Sequence, residues 1–397
     1  MMDLFNPATH DNQTNDRTSG VVERNLIHVH GFVRDGLETF LRSYRAKDVR
    51  QNNLDLLRLL FSYAVVYYHC IALSGVGVRP IPLFYSVDTA VQGFFLVSGY
   101  LVFSSYERSS TLASYFSKRA RRIYPAYFFI ILAAALGLYF VSRASSAEYF
   151  SVGWLKYVAA NLTFLNFLAP ILPGVFTDNP MPAVNGSLWT IKVEVAFYLA
   201  VPLLAAVMRW GGHLRVLILT YVLSYLYFVV LKSLALKTGH SFYEELAKQL
   251  PGQMRYFALG ALIHYYDAQI RRYLGFLGPM ALLVVCVVDV EDLLFLKPIL
   301  LACIVFAVAF GPFLINVGRF GDLSYGAYLF HFPIVQLLIS FGSFETSPEL
   351  AIGAVIGLVT LLAYLSWHLL EKPFLAKTSH YVRAEASDKA EALGPRT

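Results

Sequence analysis

The sequence predicts an all-α integral membrane protein, a bundle of about ten transmembrane helices with both termini cytoplasmic. Three observations predict it. Of 397 residues, 57% are hydrophobic and 15% charged, whereas soluble domains carry about 25% charged residues. The apolar residues form many separate runs rather than one anchor, and each spanning helix needs about 20 of them. The basic residues lie between those runs, so the net charge of +6 reads as a topology signal and not as a nucleic-acid stripe.

Apolar runs at 54–73, 84–103, 126–141, 184–208, 215–234, 251–266, 273–288, 294–316, 323–341 and 350–370 predict the spans. The third, sixth and seventh are short. The stretch 154–176 is also apolar, but Pro170 and Pro173 interrupt it. It reads as a re-entrant or interfacial piece on the outer side; if it spans instead, the later topology inverts. Charge favours the first option. With an inside N-terminus, inner loops 104–125, 209–215, 267–272 and 317–322 hold ten Lys/Arg in 41 residues. Outer loops 74–83, 142–183, 235–250, 289–293 and 342–349 hold five in 81, as the positive-inside rule requires.

Residues 1–50 are polar, without the apolar core of a cleavable signal peptide. Residues 376–397 are polar too, so a transmembrane domain at 51–375 is expected between two cytoplasmic segments. Cys70, Cys286 and Cys303 all fall in apolar runs without metal-like spacing. They read as small buried hydrophobes, with no disulfide framework and no metal. Gly353 and Gly357 form a GxxxG, which predicts close helix packing.

Charged groups inside membrane helices are expensive, so each needs a reason. Arg58 and His69 lie 11 residues apart in the first span. At 3.6 residues per turn they share a helix face, about 16 Å apart along the axis. Asp55, one turn before Arg58, can pair with it. A guanidinium suits phosphate or carboxylate, and an imidazole suits proton transfer. The plainer alternative is a structural Asp–Arg pair with an unrelated core histidine. Next, Lys118-Arg119-Ala-Arg121-Arg122-Ile-Tyr-Pro125 stands before the third span. It is a positive-inside anchor, and Arg119 and Arg122, one turn apart, can also face one anion together. Glu194 and Lys192 lie within the fourth span, after Asn185-Gly-Ser187-Leu-Trp189; such a carboxylate either pairs with a cation or works. His331 sits in Ser324-Tyr-Gly-Ala-Tyr-Leu-Phe-His331-Phe-Pro333, where Pro333 frees a backbone carbonyl. A lone histidine of this kind is more often structural. Glu371-Lys372-Pro373-Phe374 reads as a helix-ending anchor.

Taken in order, these segments resemble the acyltransferase-3 family of bacterial membrane O-acyltransferases. The resemblance runs from about Asn52 to Phe374 and includes Phe94-Phe-Leu-Val-Ser98-Gly99-Tyr100-Leu, similar to the family's segment around Ser-Gly. It implies O-acylation, commonly O-acetylation and sometimes succinyl transfer, from acetyl-CoA or another cytoplasmic acyl-CoA. It also implies a bacterial inner-membrane location and a hydroxyl acceptor on a cell-envelope or exported glycan or lipid-linked saccharide. Carried over by motif, His69 would be catalytic with Arg58 as partner. Arg119 and Arg122, with Arg58, would serve the donor, and Asp55, Ser98, Glu194 and His331 would touch substrate or support the site. Gln92 stands where many members have an acidic residue, and Asp88 is one turn away. A fused extracellular SGNH domain is not expected, which resembles the stand-alone form. The rival function is a transporter or flippase of an anionic substrate, which could use the same arginine and histidines.

Overall fold

The computed structural model describes residues 52–77, 86–288 and 293–375, together with 379 and 382. The expected segment 1–50, most of 376–397 and most of the loops 74–83 and 289–293 lie outside the described residues. What is described is helical, without β-strand, and the protein is an all-α integral membrane bundle. Eleven helices carry it: α1 Leu54–Ser74, α2 Val87–Glu107, α3 Leu112–Gly137, α4 Val152–Leu162, α5 Trp189–Gly211, α6 His213–Thr238, α7 Leu250–Tyr265, α8 Asp267–Val287, α9 Lys297–Ala309, α10 Leu323–Ser340 and α11 Pro348–Ser366. Among the described residues, eight segments are long and apolar enough to cross a membrane, namely those of α1, α2, α3, α5, α6, α8, α10 and α11. The runs at 251–266 and 294–316 yield the shorter helices α7 and α9.

Where the boundaries differ from the sequence reading, local chemistry explains the difference. The third span was expected from 126, after an inner loop. Instead α3 begins at Leu112, because Thr111 caps it by accepting a hydrogen bond from the Ser114 N–H at 3.1 Å;. Residues 118–122 are therefore helical and lie at the end of the bundle that also holds Leu54 and Asp322, with Arg121 exposed and Arg119 and Arg122 half-buried. At the other end of its run, α9 stops at Ala309, before Gly311 and Pro312;. Asn53 receives the chain there. Its Nδ2 donates to the carbonyls of Val308 (3.0 Å) and Phe313 (2.7 Å), and its Oδ1 accepts from Ile315 N (3.0 Å). The stretch 154–176 is not a spanning helix. It forms α4, whose 11 residues rise about 16 Å, followed by irregular chain. Tyr127 and Trp154 hydrogen bonds tie α4 to α3.

Helix α10 is the centre. Every residue from 324 to 336 is buried, as an all-round apolar helix requires. It packs against α1, α3 and α11, while α2 packs against α1, α5, α7 and α9. Backbones touch where α2 crosses α7: a Cβ on Gly99 would lie 2.1 Å from the Phe257 carbonyl oxygen, and one on Gly260 2.0 Å from that of Leu96. By contrast, Gly353 and Gly357 are exposed with nothing within 4 Å, so the expected GxxxG contact is not made within the described chain. Of the cysteines expected to be buried, Cys70 is buried and Cys303 half-buried, but Cys286 is exposed, facing outward from α8.

The α2–α7 crossing gives a direct test. Gly99→Ala should lower thermal stability by at least the roughly 1–3 kcal/mol typical of overpacking. Gly353→Ala should leave it unchanged or raise it, since alanine is the better helix former. Melting curves of the purified variants in detergent report both.

Candidate active site

The arginine-rich end is built on a turn. Gly321 adopts φ +93°, and a Cβ there would lie 2.2 Å from the Trp367 ring. Only glycine fits both demands. The turn places Asp322 as the N-cap of α10, its Oδ1 accepting from the Ser324 N–H (3.2 Å) and hydroxyl (2.5 Å). Its Oδ2 then receives two guanidinium groups, Arg58 Nη1 at 2.5 Å and Arg122 Nη2. Arg122 Nη1 donates to Glu371 Oε2 at 3.0 Å, and Ser366 Oγ donates to Glu371 Oε1 at 2.9 Å. Asp55 stands 3.9 Å from Arg58. An alternating series of charges, Asp55, Arg58, Asp322, Arg122 and Glu371, thus joins α1, α3, α10 and the end of α11.

Two sequence expectations change here. Asp322 is the main partner of Arg58, and the i,i+3 neighbour Asp55 is secondary. The sequence signal for Asp322 was an N-cap, an Asp just before an apolar run, but not its ion pairs. Glu371 is not a surface anchor. The last turn, Trp367–Glu371, is wound as a π-helix, and it carries the Glu371 carboxylate into the core, 1% exposed.

Arg119 and Arg122 are one turn apart, yet they serve different partners. Arg119 Nη2 donates to Ser105 Oγ on α2 at 2.9 Å, and its guanidinium lies 5.5 Å from the Tyr198 ring centroid. Its Nε is buried without a hydrogen-bond partner among the described residues. The side chain as a whole is only half-buried, so the guanidinium can also donate to an anion;.

His69 and His331, separated by 262 positions, face each other. Their rings stack at 15° with centroids 5.1 Å apart, and His69 Nδ1 lies 2.9 Å from His331 Nε2. The other nitrogen of His331, Nδ1, lies 2.7 Å from the Tyr328 carbonyl oxygen. A carbonyl only accepts, so His331 Nδ1 carries the hydrogen. With both rings neutral, His331 Nε2 accepts, His69 Nδ1–H donates, and the lone pair of His69 is left on Nε2. His331 is fully buried, whereas His69 remains half-buried. One ring therefore fixes the tautomer of the other, as a second group does for a catalytic imidazole.

Asn185 holds this arrangement from the opposite side. Pro333 cannot donate to the carbonyl four residues back, that of Leu329. Asn185 Nδ2 fills the vacancy at 2.9 Å, while its Oδ1 accepts from the Ser187 N–H and hydroxyl. Thr190 and the Tyr328 hydroxyl share a hydrogen bond at 2.6 Å. The same device recurs on α5, where Pro202 frees the Tyr198 carbonyl and the Tyr115 hydroxyl donates to it at 3.1 Å.

Glu194 makes no ion pair among the described residues. Its Oε1 accepts from the Tyr198 hydroxyl at 2.5 Å and from Ser98 Oγ at 3.5 Å. Lys192 turns away and lies 4.7 Å from the Phe167 ring centroid. Gln92 is buried on α2 with its Oε1 unpartnered, and Asp88 is exposed in the first turn of that helix. No group of three or more His, Cys, Asp or Glu suited to a metal occurs among the described residues.

Residues 51–368 match the family model described as an acyltransferase domain. The chain belongs to the acyltransferase-3 family. An O-acetyl transferase of Shigella phage Sf6 is 27% identical over 353 residues, covering 83% of this chain and 98% of that protein. Nodulation protein 10 of Rhizobium leguminosarum bv. viciae is 30% identical over 351 residues, covering 81% and 93%. No solved structure matches. The bundle is thus a multi-pass membrane acyltransferase; His69, His331, Arg58 and Arg122 lie in the segments that carry the family resemblance, whereas Asp322 lies outside them.

The charge series predicts an unequal response. Asp322→Ala leaves two arginines short of their shared acceptor and should destabilise by about 3–5 kcal/mol, the usual cost of breaking a buried pair. Asp55→Ala, at a half-buried site with a long contact, should cost less than about 1 kcal/mol. Chemical denaturation in mild detergent distinguishes the two. Equal losses would mean that Asp322 is not the hub.

Proposed function

We propose that the protein transfers an acyl group, acetyl in the first instance, from cytoplasmic acyl-CoA to a hydroxyl of a cell-envelope or exported glycan. It works in a bacterial inner membrane, and His69 is the general base. The observation that carries this reading is the His69–His331 pair, which leaves a lone pair on His69 Nε2 inside the bundle. Family membership and the printed name of the phage relative support acyl transfer, and acetyl in particular.

In this reading, His69 Nε2 takes the proton of the acceptor hydroxyl as its oxygen attacks the thioester carbonyl. The C–S bond breaks, and the proton held by His69 passes to the departing thiolate, giving free CoA. His69 Nδ1–H stays bonded to His331 throughout, so the transient imidazolium keeps its orientation. A thioester is already activated, so deprotonation and positioning suffice. If donor and acceptor enter from opposite faces, the same Nε2 can instead carry the acyl group in a covalent relay. Arg119, half-buried at the arginine-rich end, is the contact for the donor phosphates;. Arg58 and Arg122 line the same end while holding Asp322 and Glu371, about 16 Å below His69 along α1.

The test follows labelled acetyl from acetyl-CoA into envelope glycan in membranes carrying each variant. His69→Ala should lower transfer about a hundredfold to ten-thousandfold, the range of general-base effects. His331→Gln keeps a carbonyl that accepts from His69 Nδ1–H, so it should retain more activity than His331→Phe at matched stability. Normal transfer by folded His69→Ala protein overturns the proposal. Movement of unmodified substrate without release of CoA thiol would favour a transporter instead.

A further inference from the structure

Glu194 is the one group at the candidate site that the proposed chemistry leaves without a task. It lies on α5 one turn from Thr190 and one turn from Tyr198. Thr190 meets Tyr328 of α10, the Tyr198 carbonyl meets Tyr115 of α3, and Glu194 itself meets Ser98 of α2. That stripe faces inward. Leu203, nine residues on and about 180° round the helix, is 70% exposed on the lipid side. Glu194 is nevertheless half-buried rather than sealed, so its open surface borders space inside the bundle. Both of its hydrogen bonds fall on Oε1. No hydrogen bond or ion pair reaches Oε2 among the described residues.

Its position along the bundle is intermediate. On the inner side is Arg119, whose guanidinium covers the ring of Tyr198. On the other side is the Thr190–Tyr328 layer, and the Tyr328 carbonyl accepts from His331. An acyl-CoA with its phosphates on Arg119 and its thioester at His69 therefore passes Glu194 with its pantetheine arm. That arm carries two amide N–H groups and a hydroxyl. A carboxylate is an acceptor only, and one without a cation in a low-dielectric interior needs donors.

We propose that Glu194 Oε2 accepts a hydrogen bond from an N–H or O–H of the pantetheine arm, with Tyr198 and Ser98 fixing the carboxylate by its other oxygen. Glu194 is thus a donor-binding residue that registers the thioester against His69. This rests on the acyl-CoA reading given above.

Isothermal titration of the purified protein in detergent tests it with three probes: CoA, the adenosine bisphosphate fragment that lacks pantetheine, and pantetheine alone. Glu194→Ala should weaken CoA about tenfold to a hundredfold, the worth of a hydrogen bond to a charged group, and leave the adenosine bisphosphate unchanged. Glu194→Gln retains an oxygen acceptor and should lose less, which keeps the test usable if the alanine variant folds poorly. Arg119→Ala should weaken CoA and adenosine bisphosphate alike, and leave pantetheine alone unaffected. Equal CoA affinity in wild type and both Glu194 variants overturns the inference. Parallel loss of CoA and adenosine bisphosphate in the Glu194 variants overturns it too, because the effect would then lie at the phosphate end or in the fold. Failure of the wild type to bind CoA removes the donor reading itself.

Discussion

One carboxylate oxygen organises the arginine-rich end of this protein. Asp322 Oδ2 receives both Arg58 and Arg122, and so ties the first, third and tenth helices to a single point. In water such a pair contributes little. Enclosed among helices, each arginine without its acceptor would be a buried charge costing several kcal/mol. The constraint is therefore strict: α1, α3 and α10 must meet at one depth. Once they do, the stripe of α1 that begins at Arg58 brings His69 level with His331. The His69–His331 contact is downstream of an ion pair about three helical turns away;.

A second rule governs two of the proline-containing helices. Prolines inside helices leave carbonyls without donors, and on α5 and α10 a distant side chain supplies one;. Asn185 serves Pro333, and Tyr115 serves Pro202. These hydrogen bonds explain residue types that apolar patterning leaves unexplained. An asparagine amide suits Leu329 because it donates there while its oxygen closes the turn at Ser187. These hydrogen bonds also lock helices that have no hydrophobic drive to associate within lipid, where packing and hydrogen bonding must serve instead;.

The fold class was legible from composition and run lengths, since a bilayer admits helices and closed barrels only. Boundaries were less so. The start of α3 escaped because residues 118–122 interrupt the apolar run, although Thr111 is an ordinary N-cap. The end of α9 escaped because its replacement partner, Asn53, is over 250 positions away. The face shared by Arg58 and His69 followed from helical arithmetic alone. The partners of that face did not: Asp322 and His331 are brought in by tertiary contact, which one sequence does not encode locally. Ser98 and Glu194, separated by 96 positions, were each flagged alone, and only the folded chain sets them side by side.

The ion pairs have a temporal side. Arg58 and Asp322 are 264 positions apart. A ribosome working at about 5–20 residues per second takes roughly ten seconds to a minute to cover that distance. For that interval the first helix has reached the membrane with a guanidinium whose principal partner has not been synthesised. Asp55, one turn away, is the acceptor at hand. The early bundle is therefore provisional, and α1 settles only when the tenth helix arrives. The order of biogenesis, and not only the final packing, is written into the spacing of these two residues.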